Sequence, residues 1–325
     1  MSHVLIIGGG GMVGQKLAHE LAQSGLADGA RPEVTLFDLG FPAEGAPAAQ
    51  KIIGNVTDTP QISALLAQRP DVIYHLAAIV SGEAESNFEL GWQVNFQAFW
   101  SFCEAVRTEH LASGGTWVPR IIFTSSIAVF GPPFPYKIGD EFLCAPQTSY
   151  GAQKAASELM LADIARKGFC DAIAFRLPTI CVRPGKANLA ASSFFSGIIR
   201  EPLNGKEALL PVSTDVRHWH ASPRAAAGFL RHASGLDFAR LEGRRALNLP
   251  GVSCTVEEQI EALRDIAGND VVALIKPSAD PVIQKIVAGW PRDFDPARAR
   301  ALGFEADTDF KAIIQAYIED DLGRS

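Results

Sequence analysis

The fold is decided by residues 3–24, which read HVLIIGGGGMVGQKLAHELAQS. The first five residues form an apolar run typical of a buried parallel strand, and a helical period begins at Gln15. The glycine-rich turn between them lets the backbone approach a pyrophosphate at the positive end of the helix dipole. Its glycines follow a GxxGxxG spacing. We therefore predict that a dinucleotide binds the turn through Gly8, Gly11, Met12 and Gly14.

The second predicted strand, residues 33–37, ends in an acid, Asp38. A carboxylate at this position of a dinucleotide fold accepts hydrogen bonds from the adenosine ribose and repels a 2′-phosphate. The expected cofactor is therefore NAD rather than NADP. The alternative is a solvated carboxylate that merely ends a strand.

The composition is typical of a soluble enzyme and excludes several other classes. The chain has 325 residues, 47% of them hydrophobic, which allows a large core and suggests roughly two domains. Its formal charge is −7, so neither nucleic acid nor an anionic membrane is an expected partner. No apolar stretch approaches the ~20 residues of a membrane span, and the start lacks the pattern of a signal peptide.

The cysteines and histidines show no metal-ligand spacing. The 5 cysteines are scattered and odd in number, which favours reduced thiols and a cytoplasmic location over a disulfide framework. His218 and His220 flank Trp219, but no third ligand lies at a suitable spacing. We therefore predict no metal site.

Strand and helix signals alternate in βαβ order along much of the chain. This order predicts an α/β fold, a Rossmann-type doubly wound parallel sheet with a smaller, mostly helical C-terminal domain that binds substrate. We assign residues 1–177 and about 212–249 to the NAD-binding domain. The substrate domain takes about 178–211 and 250–325.

Several local predictions follow from the same patterns. Long helices are predicted over residues 87–109 and 149–167, and three or four helices after Thr255 surround a predicted strand at 271–275. The segment 178–211 is rich in Gly, Ser, Asn and Pro, as substrate loops often are. The aromatic residues predicted to lie in the core are Phe99, Trp100 and Phe102.

Tyr150 and Lys154 lie in the run TSYGAQK of residues 148–154. On a helix this spacing puts both side chains on one face. A phenol with a pKa near ~10 is a poor base at neutral pH, but a neighbouring ammonium favours the phenolate. An exposed Tyr and Lys would show the same spacing. The glycine turn and a serine-rich strand end upstream favour a nicotinamide-dependent redox site.

Taken together, these motifs resemble the extended short-chain dehydrogenase/reductase family, which includes the NAD-dependent sugar epimerases and dehydratases. The resemblance covers nearly the whole chain, in family order and at family spacing. Besides the turn and Asp38, it rests on His75-Leu76-Ala77-Ala78, on Asn95, on TSSIAVFG at residues 124–131, and on the Tyr150–Lys154 pair.

The resemblance implies a role for each matching residue. Tyr150 is expected to accept the proton, Lys154 to bind the nicotinamide ribose and lower the phenol pKa, and Ser126 to hold the reacting oxygen. Asn95 matches an asparagine near the active site of the family. The cofactor contacts expected beyond the turn are Asp38, Asn55, Val56, Leu76, Ala77, Ala78, Asn95, Tyr150, Lys154 and Pro178.

The chain departs from the family pattern at two places, and from the pattern of its dehydratase branch at a third. Asn55-Val56 replace a Gly-Asp pair, which affects only a cofactor contact. RLPT at 176–179 replaces Arg-Tyr-Phe-Asn, which changes the substrate pocket. Ile127-Ala128 follow Ser126 where dehydratases carry Asp-Glu, so the acid and base for dehydration are missing.

The substrate segments resemble those of the D-erythronate dehydrogenases within this family. They read AAIVSGEAE at 77–85, RLPTICVRPGK at 176–186 and DVRHWH at 215–220. The implied reaction is NAD-dependent oxidation of D-erythronate at C2 to 2-dehydro-D-erythronate, with a tyrosine base. A nucleotide-sugar 4-epimerase, or a dehydrogenase of another small polyol or acid, is an alternative. A non-catalytic dinucleotide-binding redox sensor is a more distant one.

A sugar acid needs a fixed cation, and the guanidinium fork can bind both oxygens of a carboxylate. Arg183 and Arg217 are the candidates, with surface or interdomain salt bridges as the alternative. Ser81 is a candidate for a substrate hydroxyl, although a serine in a glycine loop is often a turn residue. The other expected substrate contacts are Ser126, Tyr150 and Thr179. The family also implies a homodimer through the two long helices.

Overall fold

The computed structural model describes residues 2–48, 50–185 and 190–323. Its strands are β1 (His3–Ile7), β2 (Glu33–Asp38), β3 (Gln50–Ile53), β4 (Val72–His75), β5 (Arg120–Ser126), β6 (Ile138–Gly139), β7 (Asp171–Leu177), β8 (Thr179–Ile180), β9 (Ala208–Leu210), β10 (Arg217–Ala221), β11 (Ala246–Asn248), β12 (Val252–Thr255), β13 (Ile275–Pro277) and β14 (Phe294–Asp295). Its α-helices are α1 (Met12–Ser24), α2 (Thr59–Leu66), α3 (Ser81–Ser86), α4 (Phe88–Trp92), α5 (Ala98–Ala112), α6 (Ser149–Arg166), α7 (Ser193–Leu203), α8 (Pro223–Gly235), α9 (Val256–Ala267), α10 (Asn269–Val272), α11 (Pro281–Ala288), α12 (Ala297–Ala301) and α13 (Phe310–Asp321).

A 7-stranded sheet in the order β11-β7-β5-β4-β1-β2-β3 forms the centre of the molecule. All of its strand pairs are parallel. The order reverses direction at β1, so the crevice between β1 and β4 is the place where a doubly wound sheet binds its ligand. The predicted fold class is confirmed.

The sheet is buried on both faces, which is why its strands read as continuous apolar runs. Val4 and Ile6 point to one side, where α1 and α8 pack, and Leu5 and Ile7 point to the other, where α2, α5 and α6 pack. A separate core joins α7, α9 and α13. This third core supports the predicted substrate domain, and the division into domains stays a proposal.

The first predicted long helix is interrupted. The chain forms α4, then a π-helical turn at Gln93–Gln97, and then α5. On α5, Phe99 and Phe102 are buried, as predicted, because they lie on the face that packs against the sheet. Trp100 is 52% exposed on the opposite face, so its prediction as a core residue was wrong.

The predicted strand at 271–275 was also wrong. Residues Asn269–Val272 form α10, and the strand β13 begins only at Ile275. Val271 and Val272 pack against the third core from a helix, so tertiary packing overrides their strand propensity. Thr255 is followed by α9 to α13, more helices than predicted, because α10 and α12 are single turns.

Two further findings complete the description. Residues 186–189 of the predicted irregular segment 178–211, including Lys186, lie outside the described residues. None of the described helices combines the length and apolarity that crossing a membrane requires.

Candidate active site

A cleft of about 890 Å³ opens at the carboxyl edge of the sheet. It extends from the glycine turn, past the ends of β4 and β5, to the segment that follows β7. The predicted site residues that line it are Gly8, Gly11, Met12, Gly14, Leu76, Ala78, Ser81, Ser126, Tyr150, Lys154, Pro178, Thr179 and Arg183. The fold thus brings the predicted cofactor, catalytic and substrate residues to one cavity.

The other predicted site residues lie around the cleft rather than in its lining. Asp38 is at the carboxyl end of β2, and Asn55 and Val56 follow the neighbouring β3. Ala77 lies behind Gly8, and Asn95 is buried in the π-helical turn. Arg217 lies on β10 and is discussed below.

The glycine turn is shaped by contacts that only glycine permits. Gly8 has a φ of +91°, and a Cβ on it would lie 2.6 Å from the backbone nitrogen of Ala77. A Cβ on Gly14 would lie 2.4 Å from the carbonyl oxygen of Gly8. These glycines let α1 begin directly against the turn. Helix α1 has no side-chain cap at Gly11 and no acid in its first turn, so its N-terminus suits a phosphate.

Asp38 joins the second strand to this turn. Its Oδ2 accepts a hydrogen bond from the backbone N–H of Gly10 at 2.8 Å, and its Oδ1 accepts one from the N–H of Leu39 at 2.7 Å. An ionised carboxylate has about four acceptor positions, so it can accept further hydrogen bonds from ribose hydroxyls. The contact with Gly10 fixes the carboxylate beside the phosphate cradle.

Helix α6 positions the Tyr150–Lys154 pair. Thr148 caps the helix, its Oγ1 accepting a hydrogen bond from the N–H of Gly151 at 3.1 Å, which places Tyr150 in the first turn. The Nζ of Lys154 donates to the carbonyl oxygen of Thr124 at 2.8 Å and lies 5.7 Å from the centre of the Tyr150 ring. The strand β5 therefore anchors the ammonium group beside the phenol.

Burial opposes charge on both members of the pair. It lowers the pKa of Lys154 to about 7, against the opposing effect of Glu158. Burial also raises the pKa of Tyr150, while the charge of Arg183 and the side chain of Ser126 act to lower it. A phenolate at Tyr150 thus depends on the neighbouring positive charge.

A buried ionic network behind the pair was not predicted. The carboxylate of Glu158 accepts hydrogen bonds from Ser125 Oγ at 2.5 Å and from Arg176 Nη2 at 2.8 Å. Arg176 Nε lies 3.0 Å and 3.1 Å from the two carboxylate oxygens. The signal for Glu158 was its position one helical turn after Lys154, on the same face.

Asn95 acts from the interior of the protein. Its Oδ1 accepts a hydrogen bond from the N–H of Ile79 at 2.9 Å, and its Nδ2 donates to Gln153 Oε1 at 2.8 Å. Asn95 therefore ties the loop after β4 to α6, which carries Tyr150. A direct cofactor contact stays a prediction.

The two candidate arginines occupy different environments. Arg183 lines the cleft, and its Nε donates to the carbonyl oxygen of Ile180 at 3.0 Å. Among the residues that the structure describes, no acid acts on its charge. Arg217 lies outside the cleft lining, with its Nη2 3.1 Å from Glu258 Oε2. Of the two candidates, Arg183 is therefore the one whose charge a substrate in the cleft can reach.

Two more residues extend the substrate end. The Oγ1 of Thr179 lies 2.7 Å from Nε2 of His218, which also lines the cleft. Sequence reasoning considered His218 only as a metal ligand. Within residues 2–48, 50–185 and 190–323, no group of three or more His, Cys, Asp or Glu side chains could hold a metal ion.

The comparison with protein families agrees with this geometry. The model of the NAD dependent epimerase/dehydratase family matches residues 4–231. The chain belongs to this family. The resemblance drawn from its motifs is thereby confirmed, and so is NAD as its cofactor, which the glycine turn fits.

Two curated relatives match almost the full chain. A D-erythronate dehydrogenase from Cupriavidus necator is 43% identical over 324 residues, covering 98% of each chain. One from Haemophilus influenzae is 40% identical over 322 residues, covering 98% of this chain and 99% of that protein.

Two solved structures show a similar architecture. A nucleoside-diphosphate-sugar epimerase from Agrobacterium tumefaciens has a TM-score of 0.94 and 49% identity, and covers 100% of this chain and 95% of its own. An L-threonine 3-dehydrogenase from Trypanosoma brucei has a TM-score of 0.83 at 23% identity, and covers 98% of this chain and 96% of its own. The latter likeness concerns the fold alone.

Proposed function

We propose that this chain is an NAD-dependent dehydrogenase that oxidises D-erythronate at C2 to 2-dehydro-D-erythronate. The observation that carries the proposal is the position of Arg183, whose charge acts on Tyr150 in the cleft and meets no acid among the described residues. In an aldonate the carboxylate is attached directly to C2, the carbon that is oxidised, and a guanidinium is the natural partner of a carboxylate. The two D-erythronate dehydrogenases similar over nearly the whole chain support the same substrate.

The chain's own residues account for the proton chemistry. Tyr150, as the phenolate, takes the proton of the C2 hydroxyl, and Ser126 donates a hydrogen bond to the same oxygen. Lys154, when protonated, places positive charge beside the phenol, and Arg183 adds a second positive charge. NAD, held at the glycine turn, would supply the acceptor for the hydride that leaves C2. Ser81 lines the same cleft and is proposed to bind a substrate hydroxyl.

A nucleotide-sugar epimerase is the second candidate. The similarity to the Agrobacterium tumefaciens protein, at 49% identity, favours it. An epimerase returns its cofactor to the oxidised state in each cycle, whereas a dehydrogenase releases NADH. The two functions therefore differ in net cofactor reduction, a directly measurable quantity.

We also propose a cytoplasmic homodimer. The helices α4, α5 and α6 carry exposed apolar side chains, which are Phe88, Trp100, Leu111 and Leu159. Large apolar residues exposed on neighbouring helices favour contact with a second copy. A sedimentation measurement tests this part of the proposal, because Trp100→Glu should shift the dimer toward the monomer.

The proposed reaction is tested by initial rates of NAD⁺ reduction with D-erythronate, D-threonate and longer aldonates. A UDP-sugar epimerisation assay runs beside it with the same preparation. We expect NADH formation with erythronate and no epimerised sugar. Epimerisation without reduction of NAD⁺ by any aldonate would refute the dehydrogenase.

A further inference from the structure

We infer that Thr179 faces the cleft only as a hydrogen-bond acceptor, that His218 imposes this polarity, and that the pair selects a substrate hydroxyl beyond the reacting carbon. The inference rests on the proposed function, since it assigns a second recognition point for the same polyhydroxy acid. Thr179 is the residue that touches the substrate, and His218 is a positioning residue.

The pairing of two short strands brings these side chains together. Strand β8 runs parallel to β10, with Thr179 opposite His220. Residues two apart on a strand share a face, so His218 is the diagonal neighbour of Thr179 on the same side. The Oγ1–Nε2 distance of 2.7 Å is that of a good hydrogen bond, and both residues line the cleft.

The direction of this hydrogen bond follows from the other nitrogen of the ring. His218 Nδ1 lies 2.8 Å from the carbonyl oxygen of Pro291, which can only accept, so Nδ1 carries the proton. In a neutral imidazole the Nε2 is then an acceptor, and the Thr179 hydroxyl must donate to it. Burial lowers the pKa of His218 to about 4, so the ring stays neutral near pH 7.

Packing holds the imidazole in this orientation. Its ring stacks on Phe195 with centroids 5.3 Å apart and an interplanar angle of 5°. Trp290 lies against it at 5.1 Å. These contacts and the two hydrogen bonds favour the orientation in which Nδ1 faces Pro291 and Nε2 faces Thr179. Because the hydroxyl of Thr179 has a single proton and gives it to His218, only its lone pairs are left for the cleft.

Because Thr179 offers only acceptor lone pairs to the cleft, it favours some groups of the substrate over others. A carboxylate has only acceptors and is repelled by the lone pairs of Thr179, so it is directed to Arg183. A hydroxyl at C3 or C4 can donate to Thr179 and is favoured there. The two contacts fix the orientation of a sugar acid, and an acid that lacks this hydroxyl leaves a polar group of the site unpaired.

The test uses D-erythronate and its 3-deoxy and 4-deoxy analogues. Wild type should prefer erythronate over at least one analogue by about tenfold in kcat/KM. Thr179→Val should abolish that preference, and Thr179→Ser should retain it.

In His218→Phe the freed hydroxyl can rotate and donate. The preference of this variant for erythronate over the deoxy analogue should therefore be smaller than that of wild type. The variant should also turn over the analogue that carries fluorine in place of the same hydroxyl, which wild type should not. His220→Phe is the matched control, because His220 is buried next to the pair without lining the cleft.

Two results would overturn the inference. If Thr179→Val kept the wild-type preference against both analogues, Thr179 would not read a hydroxyl. If His218→Phe and His220→Phe gave the same preference and the same response to fluorine, His218 would not set the polarity. Inactivity of wild type on every aldonate refutes the proposed function instead. The same variants are then compared on whichever nucleotide sugar is turned over, against its deoxy forms, and the same two results decide.

Discussion

Replacing Arg183 by Lys separates charge from geometry at the substrate end of the cleft. Lysine keeps the positive charge but lacks the planar fork that binds both oxygens of a carboxylate. Arg183 lines the cleft and meets no acid among the described residues, so its substitution breaks no ion pair within the described part of the fold. Lysine would lose the hydrogen bond that Arg183 Nε donates to the carbonyl oxygen of Ile180, so the free energy of unfolding of the variant is measured beside its activity. If that free energy is unchanged, a loss of activity reports on substrate binding.

The size of the effect follows from the bond that is lost. A hydrogen bond to a charged group contributes about 1.5–3 kcal/mol, which corresponds to a ten- to hundredfold fall in kcat/KM. Arg217→Lys is the matched control. Arg217 and Glu258 are 37% and 54% exposed, and an ion pair as exposed as theirs contributes little. We expect its kcat/KM to stay within about twofold of wild type.

The assay is the initial rate of NADH formation from D-erythronate, measured for wild type and both variants. The uncharged alditol erythritol serves as a second substrate, and only Arg183→Lys should discriminate less between the two. Equal efficiency of wild type and Arg183→Lys would place the carboxylate elsewhere. An equal loss in both variants would mean that the substitutions act through the fold.

Four further predictions concern the rest of the site. Tyr150→Phe should lower turnover at least ~10²-fold. It should keep NADH binding, which a fluorescence titration can check. Turnover near that of wild type would remove Tyr150 from the mechanism. Asp38→Ala should narrow the preference for NAD over NADP in kcat/KM, and equal use of both cofactors by wild type would contradict the ribose contact. Glu158→Gln should lower the free energy of unfolding, measured in urea, by about 3 kcal/mol, because the mostly buried Arg176 loses its anionic partner. An unchanged urea midpoint would argue against the network. Burial lowers the pKa of Lys154 from its ordinary 10.5 to about 7 in the folded protein, so between pH 7 and 10.5 the unfolded chain binds more protons than the folded chain does. The free energy of unfolding, measured without NAD, should therefore rise with pH in this range by up to about 1.4 kcal/mol per pH unit. Lys154→Met should lack this rise. Curves of unfolding free energy against pH that run parallel for wild type and variant would show that Lys154 does not titrate in this range.

The parts of the molecule that the sequence predicts well are those with local signals. The strand, glycine turn and first helix occupy residues 3–24, and each can be recognised from its own composition and hydrophobic periodicity. Tyr150 and Lys154 share a face of α6 because of their spacing alone. Such features need no knowledge of the rest of the chain, and the structure places them as predicted.

The parts that were missed depend on contacts between distant segments. Arg183 and Arg217 both stand in substrate segments, and only the folded chain places one in the cleft and the other against Glu258. Arg176 reaches Glu158 from β7, and Thr179 reaches His218 through the pairing of β8 with β10. The sequence records none of these pairings, because strand order and register are properties of the whole fold.

The π-helical turn at Gln93–Gln97 lets this helix hold an extra residue without changing the direction of its later side chains. A π-helical turn holds one residue more than an α-helical turn, and each residue of an α-helix turns the side-chain direction by about 100°. If the same residues formed a regular α-helix throughout, α5 would be rotated by about that angle against the sheet, and Phe99 and Phe102 would leave the core. The π-helical turn absorbs this rotation. Deleting one of its residues should therefore leave a regular helix in which Phe99 and Phe102 still face the sheet.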